Sequence, residues 1–129
     1  MKVILLGSGG FLGSHIYKDL IDLGHEMSTL SYQPKDDFEF TSQLVKVVKS
    51  VNPDIIINAS GSKIQNDDPE ALHELSFLNI LLPSYLAWAI NNYVPKCILI
   101  TFGSSWQYCD INPCLLMLMQ QQKLLVKLC

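Results

Sequence analysis

The sequence predicts an α/β domain, a parallel sheet with helices on both faces. Three observations predict it. Short runs of aliphatic and β-branched residues alternate along the chain with longer stretches whose apolar residues recur at helical spacing. The short runs are apolar throughout rather than alternating, as strands buried on both faces are. A glycine-rich turn separates the first run from the first helical stretch.

Each element has its own signal. Residues 2–6 form the first strand, all aliphatic after Lys2. From residue 10 to 23, Leu12, Ile16, Leu20 and Leu23 fall on one helical face, and Gly24 stands where a left-handed residue ends a helix. Residues 26–31 make a short second strand. Residues 33–40, with Pro34, Asp36 and Asp37, read as a loop with room for a rudimentary third strand at 38–40. A helix over 42–51 puts Leu44, Val47, Val48 and Val51 on one side, and Asn52-Pro53 breaks it. Residues 54–58 are a strand built on Ile55-Ile56-Ile57, stiff side chains suited to a pleated surface. A long helix then runs from about 69 to 92, with Asp67 or Asp68 as its cap, Pro69 in its first turn and a bend at Pro83. Residues 96–101 are the next strand, and the closing residues are helical. About five strands in the order 3-2-1-4-5 are expected, in a three-layer arrangement.

Composition limits the partners. A chain of 129 residues, 49% hydrophobic and 16% charged, supports one globular domain with one core. A net charge of -3 with scattered lysines leaves no basic face for nucleic acid. The first apolar run is too short for a secretion signal, and none approaches the roughly 20 residues of a membrane-spanning helix. Cys97, Cys109, Cys114 and Cys129 contain no C-x-x-C pair and read as the reduced thiols of a cytoplasmic protein, not as a disulfide framework or a metal site. His15, His25 and His73 read as ordinary helix or loop residues. No nucleic acid, membrane or metal partner is expected; a homodimer is open.

The strongest chemical signal is Gly7-Ser8-Gly9-Gly10-Phe11-Leu12-Gly13, which closes the first strand and opens the first helix. Gly7, Gly10 and Gly13 follow the spacing G-x-x-G-x-x-G. In a Rossmann-type, doubly wound sheet one glycine turns tightly, one lets backbone N–H groups approach a pyrophosphate, and one lets helix and strand pack closely. The helix N-terminus adds partial positive charge and unpaired donors. Gly7, Gly9, Gly10, Phe11, Leu12 and Gly13 are therefore candidate cofactor residues. At the end of the second strand an NAD-binding fold usually places an acid. Ser31-Tyr32 stands there instead, with no acid and no nearby arginine. Ser31 is a candidate ribose contact, Lys35 could serve a 2′-phosphate, and NAD and NADP both stay open.

Three further segments, in order, resemble the extended short-chain dehydrogenase/reductases, the family of NAD-dependent epimerases, dehydratases and reductases of nucleotide-activated sugars. Residues 53–61, PDIIINASG, resemble the family's P-D-x-V-x-x-x-A-[AG] strand, which implies cofactor contacts at Ala59, Ser60 and Gly61. Residues 76–83, SFLNILLP, resemble the helix carrying its recurrent asparagine, here Asn79. Residues 98–108, ILITFGSSWQY, resemble the strand and loop written S-S-x-x-x-Y, which implies a catalytic role for Ser104 or Ser105. Tyr108 is not the family's catalytic tyrosine. The resemblance covers residues 1–113 and implies a truncated Rossmann domain that binds NAD or NADP, with a nucleotide-activated sugar as the intact relative's substrate.

The family's Y-x-x-x-K pair should follow Asn112-Pro113. A tyrosine there exchanges a proton with the substrate oxygen, and a lysine one helical turn later lowers its pKa. No tyrosine follows Tyr108, and Lys123 and Lys127 have Met119 and Lys123 four positions before them. Two readings of residues 114–129 stand. One is a genuine amphipathic helix packed on the sheet. The other is an out-of-frame tail: written as TTA TTA ATG CTT ATG CAA CAA CAA AAA, residues 115–123 read from the third base as Ile-Asn-Ala-Tyr-Ala-Thr-Thr-Lys, which restores Y-x-x-x-K. The nucleotide sequence separates the two. On either reading the chain is expected to bind the cofactor without turnover.

Overall fold

A computed structural model describes residues 1–32, 37–61 and 69–102. The chain runs β1 (Lys2–Leu6), α1 (Phe11–Asp22), β2 (Glu26–Leu30), α2 (Asp37–Val51), β3 (Ile55–Asn58), α3 (Pro69–Ser76), a π-helical turn (Phe77–Leu81), α4 (Leu82–Tyr93) and β4 (Ile98–Thr101). All four strands are parallel, in the spatial order β2-β1-β3-β4. β1 pairs with β2 through Val3 opposite Met27, and with β3 through Val3 opposite Ile55.

The central strand is apolar because both of its faces are covered. Ile4 and Leu6 point into the larger core, with Leu44, Val48, Phe77, Leu82 and Leu86 from the helices. Val3 and Leu5 point the other way, to a smaller cluster with Ile57 and the partly buried Ile16, Tyr17 and Leu20 of α1. Helices therefore lie on both faces, and the expected three-layer, Rossmann-like arrangement is present. No described helix is long and apolar enough to cross a membrane.

Two elements differ from expectation. Residues 38–40 are the first turn of α2 rather than a rudimentary strand, so the described sheet has four strands, not about five. Phe40 is buried in the same stripe as Leu44 and Val48, which carries the helical period back beyond residue 42. Asp37 and Glu39 in that first turn also suit the positive end of the helix. The remaining strands keep the anticipated order. The second difference is the long helix, which is divided by the π turn ahead of Pro83. Proline lacks an N–H and crowds the carbonyl four residues back, here that of Asn79. The Leu82 N–H bonds five residues back, to the Phe77 carbonyl. The irregularity thus sits where the lost bond would have ended, one turn before the proline.

The helix ends follow the sequence closely. At the end of α1 the His25 N–H bonds the Leu20 carbonyl (3.0 Å) and the Gly24 N–H bonds Ile21 (2.8 Å), a Schellman closure with Gly24 at φ +79°. Asn52, at φ 50°, ends α2 in the same left-handed region.

Cys97, just before β4, is a free thiol whose pKa is pushed up to about 11. Burial is the main cause and the charge of Asp54 adds to it, while a backbone hydrogen bond at Ile56 works against both. The folded chain holds this proton more tightly than an unfolded one, whose thiol titrates near its ordinary 9.0. Stability present below that value should therefore fall as the pH rises toward about 11. Denaturation midpoints below and above this window check the sign, and the fall should be smaller in Cys97→Ala.

Candidate functional site

The C-terminal end of the sheet opens into a cleft of about 540 Å³ lined by the β1–α1 turn, the ends of β2 and β3, and one face of the segment from α3 to α4. That volume lies within the roughly 300–1,000 Å³ of ordinary small-molecule sites.

The glycine turn is built by steric necessity at two positions. Gly7 leaves β1 at φ +81°, where a side chain is strained, and a Cβ there would lie 2.5 Å from the Ser60 nitrogen. A Cβ on Gly13 would lie 2.0 Å from the Gly7 oxygen. The start of α1, the turn and the loop after β3 are thus stacked backbone on backbone. The Gly10 N–H bonds the Gly7 carbonyl at 3.0 Å, and the Gly10 carbonyl accepts from Ser14 at 2.9 Å, which starts the helix.

The other two glycines are different. A Cβ on Gly9 would meet nothing within 4 Å, and one on Gly10 would make an ordinary 3.4 Å contact with the Gly7 oxygen. Gly10 is the N-cap, in extended backbone that any residue adopts. Having no side chain, it caps nothing. Helix geometry leaves the first-turn amides of Phe11, Leu12 and Gly13 without intrahelical acceptors. No acid stands in that turn to offset the helix dipole. Gly9, Gly10, Phe11 and Leu12 all line the cleft, while Gly13 is buried beneath them.

The opposite wall is Ala59, Ser60 and Gly61. Asn58, 2% exposed at the end of β3, shapes it. Its side-chain oxygen accepts the Ser60 N–H at 3.2 Å and also the Ser60 hydroxyl. Leu6 and Leu30 end their strands in the cleft, and Ser31 lines its edge.

Nine of the eleven residues expected to hold a cofactor therefore line one cleft: Gly7, Gly9, Gly10, Phe11, Leu12, Ser31, Ala59, Ser60 and Gly61. Gly13 supports it from below. Asn79 is half-buried in the π turn and does not line it. Ser104 and Ser105, the expected substrate-orienting pair, lie outside the described residues, as do Lys35 and residues 114–129.

Sequence reasoning missed six lining residues: Leu6, Leu30, Tyr32, Glu74, Leu78 and Leu82. The last three recur every fourth residue, the spacing of one helical face, which was the available signal. Tyr32 stacks on Phe77 with ring centres 4.4 Å apart and meets Phe40 edge-on at 5.4 Å. Its hydroxyl donates to the Asp37 carboxylate at 2.7 Å, and His73 Nε2 contacts the other Asp37 oxygen at 2.9 Å. Burial, then the bond and charge of Asp37 and the charge of Glu74, hold the Tyr32 phenol well above its usual range, so it stays a donor.

The chain resembles several solved structures in fold. UDP-glucose-4-epimerase from Stenotrophomonas maltophila, solved with NAD and formylated UDP-arabinopyranose, aligns over 99% of this chain and 48% of its own, with 15% identity and a TM-score of 0.76. The Bordetella bronchiseptica enzyme WbmG, in complex with NAD and UDP, aligns over 98% of this chain and 49% of its own, with 14% identity and a TM-score of 0.74. A dTDP-4-dehydrorhamnose reductase from Clostridium acetobutylicum aligns over 99% of this chain and 49% of its own, with 20% identity and a TM-score of 0.73. The chain thus spans about half the length of these relatives. No curated protein matches it significantly. The model of the NAD dependent epimerase/dehydratase family matches residues 3–116, nearly the whole chain including the glycine turn and both walls of the cleft, and the chain belongs to that family.

Proposed function

We propose that the cleft holds NAD or NADP, and that the chain is the cofactor-binding portion of a cytoplasmic epimerase, dehydratase or reductase of a nucleotide-activated sugar. One observation carries the reading: Gly9 and Gly10 are glycines that neither backbone angle nor internal packing requires, and both face the cleft. Space kept open beside an uncapped helix start suits an anionic group that approaches the backbone closely. The residues present therefore fit a dinucleotide. Amides at the start of α1 would receive the pyrophosphate, Ser31 the adenosine ribose, and Ala59, Ser60 and Gly61 the opposite side, with Asn79 further along.

When bound, the nicotinamide supplies a site that accepts or donates hydride. The chain's own part in the chemistry falls to Ser104 and Ser105, which would orient a substrate oxygen by hydrogen bonding. Proton exchange at that oxygen needs a group of suitable pKa. Within these 129 residues no tyrosine follows Tyr108 to provide it. We therefore propose binding without turnover. The same absence favours a second reading, a non-catalytic dinucleotide-binding module or the product of a frameshifted gene. Turnover of a nucleotide sugar by the purified chain would refute both.

Isothermal titration with NAD and NADP tests the cleft. Wild type should bind at least one of them at or below millimolar concentration. Gly9→Ala should unfold with the wild-type midpoint yet bind about tenfold more weakly, the cost of one lost charge-assisted hydrogen bond. A folded wild type that ignores both dinucleotides ends the proposal.

A further inference from the structure

We infer that Glu74 sets the cleft's choice between the two pyridine dinucleotides and sets it toward NAD, an inference that rests on the dinucleotide reading above. In a dinucleotide fold of this kind the adenosine ribose lies at the end of the second strand. An acid there accepts from the 2′-hydroxyl of NAD and repels the 2′-phosphate of NADP. Here the strand ends in Ser31-Tyr32, neither of which carries a charge.

The charge arrives from another element. Glu74, on α3, lines the cleft together with Ser31 and Tyr32. Its neighbour His73 is committed elsewhere, on Asp37 at 2.9 Å. Asp37 is itself engaged twice, by His73 and by the Tyr32 hydroxyl, so its charge is already shared. Glu74 has no hydrogen bond or ion pair among the described residues. Its negative charge is also felt at the Tyr32 hydroxyl, which places it close to the strand end. A carboxylate with spare acceptor capacity beside this end of the cleft does what a strand-end acid does from a different position.

The composition agrees. NADP sites commonly hold the 2′-phosphate with arginine, whose planar fork matches it. All nine of the chain's cationic side chains are lysines. Lys35, the cation nearest to Tyr32 in sequence, lies outside the described residues. A 2′-phosphate carries up to about two negative charges at neutral pH, and a carboxylate in the same cleft, with no partner among the described residues, opposes it.

The test is isothermal titration of the full chain with NAD and with NADP, for wild type and Glu74→Gln, at low salt. Wild type should bind NAD about tenfold or more tightly than NADP. Glu74→Gln should narrow that ratio by strengthening NADP binding. The wild-type ratio should also shrink as salt is raised toward about 1 M, where the screening length falls to about 3 Å. This salt series carries the test if the variant does not fold. Equal affinities in wild type, or a ratio unmoved by the substitution and by salt, overturn the inference. A preference for NADP overturns it and moves attention to Lys35. Binding of neither dinucleotide is a separate outcome, which removes the cleft reading and this inference with it.

Discussion

Gly13→Ala should destabilise the chain by about 3 kcal/mol or more, at the upper end of what overpacking costs. The added methyl would stand 2.0 Å from the Gly7 oxygen, 2.7 Å from the Gly7 carbon and 3.0 Å from the Ser8 Cα. All of these are backbone atoms, so no rotamer change makes room. Nor can the turn retreat, because Gly7 already lies against Ala59 and Ser60 with no space for a Cβ of its own. Relief requires separating α1 from β1, which opens the smaller core cluster under Ile16 and Leu20, or moving the turn away from the loop after β3, which strains the Ala59 N–H bond to the Leu6 carbonyl. A domain of this size has only about 5–15 kcal/mol in total, so the variant should show a large drop in the chemical denaturation midpoint. Gly9→Ala is the control, since its methyl meets nothing within 4 Å. It should stay within about 0.5 kcal/mol of wild type. Equal midpoints for Gly13→Ala and wild type would show that the stack is not tight.

This contrast also explains how much of the site was legible in the sequence. The glycine turn could be read because its chemistry is local: main-chain amides, a helix start and a spacing of three. The same holds for β1 and β3, whose uninterrupted aliphatic runs announce strands covered on both faces. Residues 38–40 were harder. Pro34, Asp36 and Asp37 resemble turn chemistry, and only the burial of Phe40 reveals that the helical stripe begins there. The π turn was half legible. Pro83 signalled an irregularity, but its effect appears at the carbonyl four residues earlier, so the break precedes the proline. The remaining wall of the cleft was not legible as a wall. Tyr32, Glu74, Leu78 and Leu82 come from separate elements and meet only when the segment from α3 to α4 folds over the end of the sheet. Nothing local to Glu74 marks it as a cleft residue rather than a solvated one.

The segment that brings them together yields the second large effect. Phe77→Ala should cost about 3–5 kcal/mol, the usual range for removing a buried aromatic side chain. Phe77 is 1% exposed and is one of three mutually contacting rings. It stacks on Tyr32 at 4.4 Å with an interplanar angle of 12°, and meets Phe40 nearly edge-on at 5.9 Å. Those partners come from the end of β2 and the start of α2, so one side chain joins the π turn to both. The cavity left by truncation would open against Tyr32, which lines the cleft. Denaturation of Phe77→Ala should therefore show a lowered midpoint. Titration at a temperature where the variant is still folded should show weakened dinucleotide binding, because Tyr32 then loses its stacking partner. Phe77→Leu, which refills most of the volume, should recover more of the stability than of the binding, since a branched aliphatic group fills space but cannot stack. Equal recovery of both would mean that Phe77 serves the core alone and that the aromatic stack has no part in shaping the site.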